Sequence, residues 1–148
     1  MSSGIVANAF VVINAPVARV WAALITPATI TRYMFGTEVA ADWREGGRIS
    51  WQGDYQGKPY RDHGTILTFT PDHELQYSHF SPASGKTDVP ANYDIVTLKL
   101  SADSPTATTL RLTQDANPTE EARAHTAAFW QGMLLSLKGL VEAPAPAV

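Results

Sequence analysis

The 148-residue sequence contains no cysteine, and this absence excludes several kinds of site. Without thiols there can be no disulfide bond, no thiolate zinc site and no cysteine nucleophile. Charge is also scarce, with 11 basic and 14 acidic side chains and a formal net charge of −3. Because proteins that bind nucleic acids present basic surfaces to the phosphates, this balance predicts no nucleic-acid partner.

Long hydrophobic runs are missing as well. No apolar stretch approaches the ~20 residues of a membrane-spanning helix, and the N-terminus lacks the basic start and apolar core of a secretory signal. We therefore expect no membrane span and a cytoplasmic location. Residues 1–142, in a chain that is 45% hydrophobic, are predicted to form a single domain. The alanine and proline tail, residues 143–148, is predicted to be disordered.

Recognisable catalytic motifs are absent too. The sequence has no Gly-x-Ser-x-Gly motif, no phosphate-binding loop and no dinucleotide fingerprint. The four histidines are His63, His73, His79 and His125. They show no short ligand spacing, so the sequence predicts no metal site and no cofactor. Nothing assigns a catalytic residue, and this favours a binding protein over an enzyme.

The hydrophobic pattern indicates a strand, two short helices, six further strands and one long helix. Residues 5–13 are rich in β-branched and aromatic residues, as a strand is, whereas residues 17–24 and a shorter segment from Pro27 have helical spacing. The six later strands are predicted at residues 36–43, 48–52, 63–69, 74–80, 92–100 and 108–115. Residues 118–141 form the long helix, which follows a capping pattern from Asn117 to Glu120.

This order predicts an α+β fold built on a seven-stranded, curved antiparallel sheet. Two short helices accompany the sheet, and the long C-terminal helix covers its concave face. Because a sheet of this size twists and curls, the helix and the sheet are expected to enclose a cavity.

Three motifs, in their order along the chain, resemble the SRPBCC (START-like, helix-grip) superfamily. They are INAPVARVWAALITPATI, the Asp-x-Arg-x-Gly-Gly hairpin in DWREGGRISW, and the terminal FWQGMLLSLKGLVE. They are most similar to the branch named for homologues of the activator of a heat-shock chaperone ATPase. The resemblance covers about residues 11–142. It implies a helix-grip fold around a cavity, but no shared catalytic constellation.

An aromatic hairpin is the first predicted wall of this cavity. The glycine pair at residues 46–47 favours a turn between two antiparallel strands. In the second of these strands Trp51 lies on the inward face and is expected to line the cavity, near Trp130 and Met133 of the long helix. Gly132 in that helix either lets a strand approach closely, which is the favoured interpretation, or leaves room over the cavity.

Further candidates come from the following strands. Strict alternation puts His63, Leu67 and Phe69 on one face, and His79 on the same face as Tyr77. The complete predicted ligand-binding set is Trp51, His63, Leu67, Phe69, Tyr77, His79, Tyr93, Trp130 and Met133. Asp94 and Gln114 are weighed as polar residues at the mouth of the cavity.

These features favour a binding module that holds an apolar or aromatic small molecule. The resemblance leaves two alternatives. A cyclase-like enzyme would act on a polyketide-type substrate through His63, Tyr77, His79 or Tyr93 as acid or base. An interaction protein would instead stimulate a chaperone ATPase. The chaperone is the weaker partner, because comparable activators carry a further N-terminal domain for which this sequence has no room.

Overall fold

The computed structural model describes residues 5–143 and contains seven strands and three α-helices in that range. The strands are β1 (Ile5–Ile13), β2 (Glu38–Ala41), β3 (Arg48–Tyr55), β4 (Lys58–Thr70), β5 (Glu74–His79), β6 (Asp94–Ser104) and β7 (Ala107–Asn117). The helices are α1 (Val17–Ile25), α2 (Pro27–Tyr33) and α3 (Glu120–Glu142). The predicted tail lies outside the described residues, apart from Ala143.

All seven strands belong to one antiparallel sheet, in the order β1-β7-β6-β5-β4-β3-β2. Each strand from β2 to β6 pairs with the next along the chain, and β1 joins the far side of β7. The predicted α+β helix-grip fold, with its curved sheet, two short helices and long C-terminal helix, is confirmed. No helix within the described range is long and apolar enough to cross a membrane.

The long helix α3 covers the concave face of the sheet through an apolar stripe. Its buried residues are Met133, Leu134, Leu137 and Val141. The helix begins two residues later than predicted: Thr119 is the cap, and its hydroxyl accepts the N–H of Ala122 at 3.0 Å. Asn117 is buried instead, and its side chain donates to the carbonyl of Ile5 at 2.8 Å. Asn117 therefore joins β7 to β1, and the predicted capping box is wrong.

The glycine pair lies, as predicted, in the reversal between β2 and β3. Gly46 has a φ of 79°, and its N–H donates to the carbonyl of Ile66 at 2.8 Å. Gly47 has no room for a side chain, since a Cβ there would lie 1.9 Å from the carbonyl oxygen of Asp42. A second tight turn, Gln56-Gly57, joins β3 to β4 through two residues with positive φ. The strands on either side of this second turn, β3 and β4, are therefore longer than the predicted segments 48–52 and 63–69.

Strand β4 contains an irregularity that changes which side chains face inward. Its register with β5 shifts between Ile66 and Thr68, so Leu67 is an extra residue. Ile66 is fully buried and Phe69 packs on Trp21 with ring centroids 5.3 Å apart, whereas Leu67 is 40% exposed. The predicted common face of His63, Leu67 and Phe69 is therefore wrong, because a bulge breaks strict alternation.

Candidate functional site

A cavity of about 950 Å³ lies between the concave face of the sheet and α3. Strands β3 to β7 all contribute to it. The inner part of its wall includes Trp51, Asp62, Tyr77, His79, Val96, Gln114, Trp130 and Met133. At its outer end it is lined by three exposed aromatic residues, Phe35, Tyr55 and Phe129. Aromatic residues near the β3–β4 hairpin thus line a single cavity.

A smaller inner pocket of about 40 Å³ adjoins this cavity. Five side chains line both spaces: Met34, Trp51, Tyr77, Trp130 and Met133. The remainder of its wall is almost wholly apolar and comes from α1, α2, the sheet and α3. The inner pocket is therefore an extension of the cavity into the hydrophobic core.

The cavity wall contains an imidazole held between two carboxylates. His79 Nε2 lies 2.8 Å from Asp62 Oδ2, and His79 Nδ1 lies 2.9 Å from Asp94 Oδ1. The three side chains come from the adjacent strands β4, β5 and β6. They point inward together because His79 pairs with Asp94, while Asp62 pairs with the inward-facing Trp51.

The hydrogen bonds continue from this cluster to the long helix. Asp94 Oδ2 accepts a hydrogen bond from Gln114 Nε2 at 2.7 Å. Gln114 Oε1 in turn accepts the indole N–H of Trp130 at 2.6 Å. A single polar row, made of Asp62, His79, Asp94, Gln114 and Trp130, thus crosses four strands and ends on α3. We call it the polar row.

The carboxylates determine the charge of His79. Burial lowers the pKa of this imidazole, but the hydrogen bonds to Asp62 and Asp94, together with their negative charge, outweigh burial and raise the pKa to about 9. His79 is therefore protonated at neutral pH, and each of its ring N–H groups donates to a carboxylate. An imidazolium with both nitrogens engaged has no lone pair with which to act as a base.

One oxygen of the polar row remains without a partner. Asp62 Oδ1 is closed off from solvent and has no hydrogen-bond partner within residues 5–143. Two carboxylates also surround a single imidazolium, so this part of the wall carries one negative charge in excess. An anionic group placed beside it would be repelled.

The family follows from comparison with known proteins. The sequence pattern of the family described as "Activator of Hsp90 ATPase homolog 1-like protein" matches residues 14–142. The chain belongs to this family. A search of curated proteins found no match.

Solved structures share the fold over nearly the whole chain. A protein from Cytophaga hutchinsonii, determined in solution, is 47% identical with a TM-score of 0.83, and the match covers 96% of this chain and 97% of that one. A crystal structure from Chromobacterium violaceum is 23% identical with a TM-score of 0.77, covering 94% and 98%. The Aha1 dimer from Colwellia psychrerythraea is 18% identical with a TM-score of 0.71, covering 93% and 96%. The last two likenesses show the fold alone.

Five of the nine residues predicted for the site line the cavity in this family member. They are Trp51, Tyr77, His79, Trp130 and Met133. Trp51 is buried, and its ring centroid lies 5.0 Å from that of Tyr77 and 5.2 Å from that of His79. These contacts make the hairpin tryptophan part of both the core and the cavity wall.

The other four predicted residues lie away from the cavity. Phe69 packs on Trp21, and Leu67 is the exposed bulge residue. His63 and Tyr93 meet Asp88 instead: the Tyr93 hydroxyl donates to Asp88 Oδ1 at 2.6 Å, and His63 Nε2 lies 3.2 Å from Asp88 Oδ2. This cluster belongs to the opposite face of β4, because His63 alternates with the inward-facing Asp62.

Sequence reasoning missed Asp62 and did not select Asp94 or Gln114 for the site. Two signals could have revealed Asp62. Asp62 is four residues before the apolar Ile66, so alternation puts both side chains on the same, inward face of the strand. It also directly precedes His63, so the same alternation puts His63 on the opposite face. Within the described chain no group of three histidine, aspartate or glutamate side chains is arranged to hold a metal ion.

Proposed function

We propose that this protein binds an apolar or aromatic small molecule in the cavity between the sheet and α3. The observation that carries this proposal is a cavity of about 950 Å³ whose wall combines aromatic side chains with a partly buried polar row. Small-molecule sites typically occupy about 300–1,000 Å³ and place a few polar groups within an apolar lining. The cavity has both the size and the composition of such a site.

The aromatic residues support an aromatic or extended apolar ligand. Trp51 and Tyr77 offer ring surfaces in the inner part of the cavity, with their ring centroids 5.0 Å apart. Phe129, on α3, is half exposed at the outer end and packs edge-on against Trp130 with centroids 5.4 Å apart. Exposed aromatic side chains beside a cavity are costly in water and are stabilised when a ligand covers them.

The polar row favours binding over acid–base catalysis. Two of the predicted acid or base residues of the cyclase-like hypothesis, His79 and Tyr77, line the cavity. Carboxylates engage both nitrogens of His79, and burial raises the pKa of Tyr77, so neither side chain is poised to act as a base. His63 and Tyr93 lie on the other face of the sheet, with Asp88. The chaperone-docking alternative rests on the family description alone. We therefore propose a single function, ligand binding.

A matched pair of helix variants tests this function. Phe129 and Leu135 both lie on α3 and are 50% and 54% exposed, but only Phe129 lines the cavity. Thermal unfolding would be followed with a panel of naphthalenes, biphenyls and long-chain acyl compounds. A ligand that binds only the folded state raises the melting temperature by mass action. Removing an aromatic contact through Phe129→Ala should weaken binding about three- to tenfold.

The Leu135→Ala variant is the control for this experiment, and its ligand response should equal that of the parent. Trp51 and Trp130 line the cavity, so binding should also shift the tryptophan emission. This second signal is read with those compounds of the panel that do not themselves fluoresce. The proposal is overturned if the parent responds to no compound of the panel. Equal loss of binding in both variants would place the ligand elsewhere on α3.

A further inference from the structure

Two buried tyrosine side chains line the inner pocket. Tyr33, the last residue of α2, is 6% exposed, and Tyr77, in β5, is 7% exposed. Both line the 40 Å³ pocket. No hydrogen bond to either hydroxyl is found within residues 5–143, and neither oxygen is closed off from open space as Asp62 Oδ1 is. Both side chains therefore belong to the wall of the pocket, and within the described residues neither hydroxyl is committed to another group.

These hydroxyls remain protonated donors. Burial raises the pKa of Tyr33, and burial followed by the charges of Tyr33 and Asp94 raises the pKa of Tyr77. A phenol donates its proton more readily than it accepts one, because its oxygen lone pair is conjugated with the ring. An O–H group that lacks an acceptor in apolar surroundings is destabilising. The pocket thus presents two donors that a ligand could satisfy.

We propose that the inner pocket is a subsite for a neutral hydrogen-bond acceptor, a ketone or aldehyde carbonyl, at the tip of an apolar ligand. The hydroxyls of Tyr33 and Tyr77 donate to the carbonyl oxygen. The inference rests on the proposed ligand-binding function and adds the chemical class of the ligand. It predicts selection among ligands of equal size and apolar area.

The dimensions of the two spaces agree with this arrangement. A pocket of about 40 Å³ accommodates a group of very few atoms, since a cavity needs about 10–15 Å³ to hold one water molecule. An acetyl tip fits this space, whereas an aromatic ring system needs the adjoining cavity of about 950 Å³. Trp51 and Tyr77 line both spaces, so one molecule can contact the two together.

The charge of the wall decides between a neutral and an anionic acceptor. Asp62 and Asp94 flank one imidazolium, which leaves one negative charge in excess in the wall of the adjoining cavity. The field of Asp94 reaches the hydroxyl of Tyr77, as its effect on the pKa of that group shows. A carboxylate placed at the same hydroxyl would meet this field and would also lose its hydration. A carbonyl oxygen avoids both penalties.

Calorimetric titration with three naphthalenes of similar shape tests the subsite. The compounds are 2-acetylnaphthalene, 2-ethylnaphthalene and 2-naphthoate. We expect the ketone to bind about three- to tenfold more tightly than the ethyl compound, the range that one or two neutral hydrogen bonds provide. The anionic naphthoate should bind more weakly than the ketone.

Removal of single hydroxyls assigns this preference to the two tyrosines. Tyr77→Phe and Tyr33→Phe should each reduce the affinity for the ketone several-fold and leave the affinity for the ethyl compound unchanged. Tyr93→Phe is the control, because Tyr93 lies on the opposite face of the sheet, where its hydroxyl donates to Asp88. Thermal unfolding of the Tyr77→Phe and Tyr33→Phe variants should remain at or above that of the parent, since an unpaired buried hydroxyl has been removed.

Each outcome separates the subsite from the proposed function. Equal affinities for the ketone and the ethyl compound, unaffected by either tyrosine substitution, overturn the subsite and leave ligand binding intact. Tighter binding of 2-naphthoate than of the ketone overturns the neutral-acceptor class. A protein that binds none of the three compounds, nor any member of the wider panel, overturns ligand binding together with the subsite.

Discussion

Asp62 Oδ2 lies 2.8 Å from His79 Nε2, and this contact joins β4 to β5 on the concave face of the sheet. Asp94 holds the other ring nitrogen at 2.9 Å. Burying an imidazolium is costly unless opposite charges and hydrogen bonds compensate for lost hydration. The two carboxylates provide this compensation, and the polar row therefore both charges the cavity wall and connects the sheet to α3.

The stability of the protein should depend on pH through His79. Its pKa of about 9 lies well above the 6.5 of a free imidazole. The folded state therefore holds this proton more tightly than the unfolded chain. The resulting stabilisation is complete below pH 6.5 and is lost as pH rises through 9. At ~1.4 kcal/mol for each pKa unit, the loss should be on the order of 3 kcal/mol.

Urea unfolding near pH 6 and near pH 9.5 measures this loss. His79→Gln is the reference variant, because it retains every other titrating group but cannot carry the charge. The gap in unfolding free energy between parent and variant should be large at the lower pH and should shrink at the higher one. A gap that does not change between the two conditions would contradict the assignment to His79.

Asp62 should contribute strongly to the raised pKa of His79. Its hydrogen bond is the largest of the interactions that raise this pKa. Replacing Asp62 with Asn removes the negative charge and should lower the pKa of His79 by about one to three pH units. Titration of the imidazole nitrogens by NMR gives the value directly. Asp54→Asn, an exposed carboxylate at the outer end of the same cavity, should leave it unchanged.

Side chains of α3 should protect the free edge of β1. Gln131 accepts the N–H of Phe10 at 3.3 Å and donates to its carbonyl at 2.9 Å, and Glu142 accepts the N–H of Asn14 at 2.7 Å. Such contacts satisfy edge groups that could otherwise pair with another chain. Gln131→Ala should accelerate amide hydrogen exchange at Phe10 about three- to tenfold.

Glu142→Ala provides the crossed control for this edge. It should accelerate exchange at Asn14 and leave Phe10 as in the parent, whereas Gln131→Ala should leave Asn14 unchanged. Exchange at Phe10 that is insensitive to Gln131→Ala would show that the side chain does not protect the edge.

Two glycines should respond to alanine in opposite directions. At Gly47 a Cβ would lie 1.9 Å from the backbone oxygen of Asp42, so Gly47→Ala should lower the free energy of unfolding by about 1–3 kcal/mol or more. At Gly132 a Cβ would meet nothing within 4 Å. The predicted close approach of a strand at Gly132 is therefore wrong, and Gly132→Ala should raise stability by up to ~1 kcal/mol through helix propensity. Urea unfolding of both variants checks the two signs.

The sequence by itself determined the order of the elements and the general fold. Alternation along β5 and β6, helical spacing along α3 and the glycine pair at residues 46–47 are local patterns, and each follows from neighbouring residues. Backbone geometry repeats every two residues in a strand and every 3.6 in a helix, so these patterns can be recognised without any tertiary contact. The inward orientation of Trp51 follows from the two-residue repeat of a strand.

Only the tertiary structure decided which polar side chains meet. The bulge at Leu67 changes the face of Phe69, and it depends on the register of β4 against β5. The polar row is assembled from residues 15 to 20 positions apart in each of its hydrogen bonds. Strand register and the pKa of His79 arise from contacts across the sheet rather than from local periodicity, which is why the sequence pointed to an inward His79 but not to the two carboxylates that hold it.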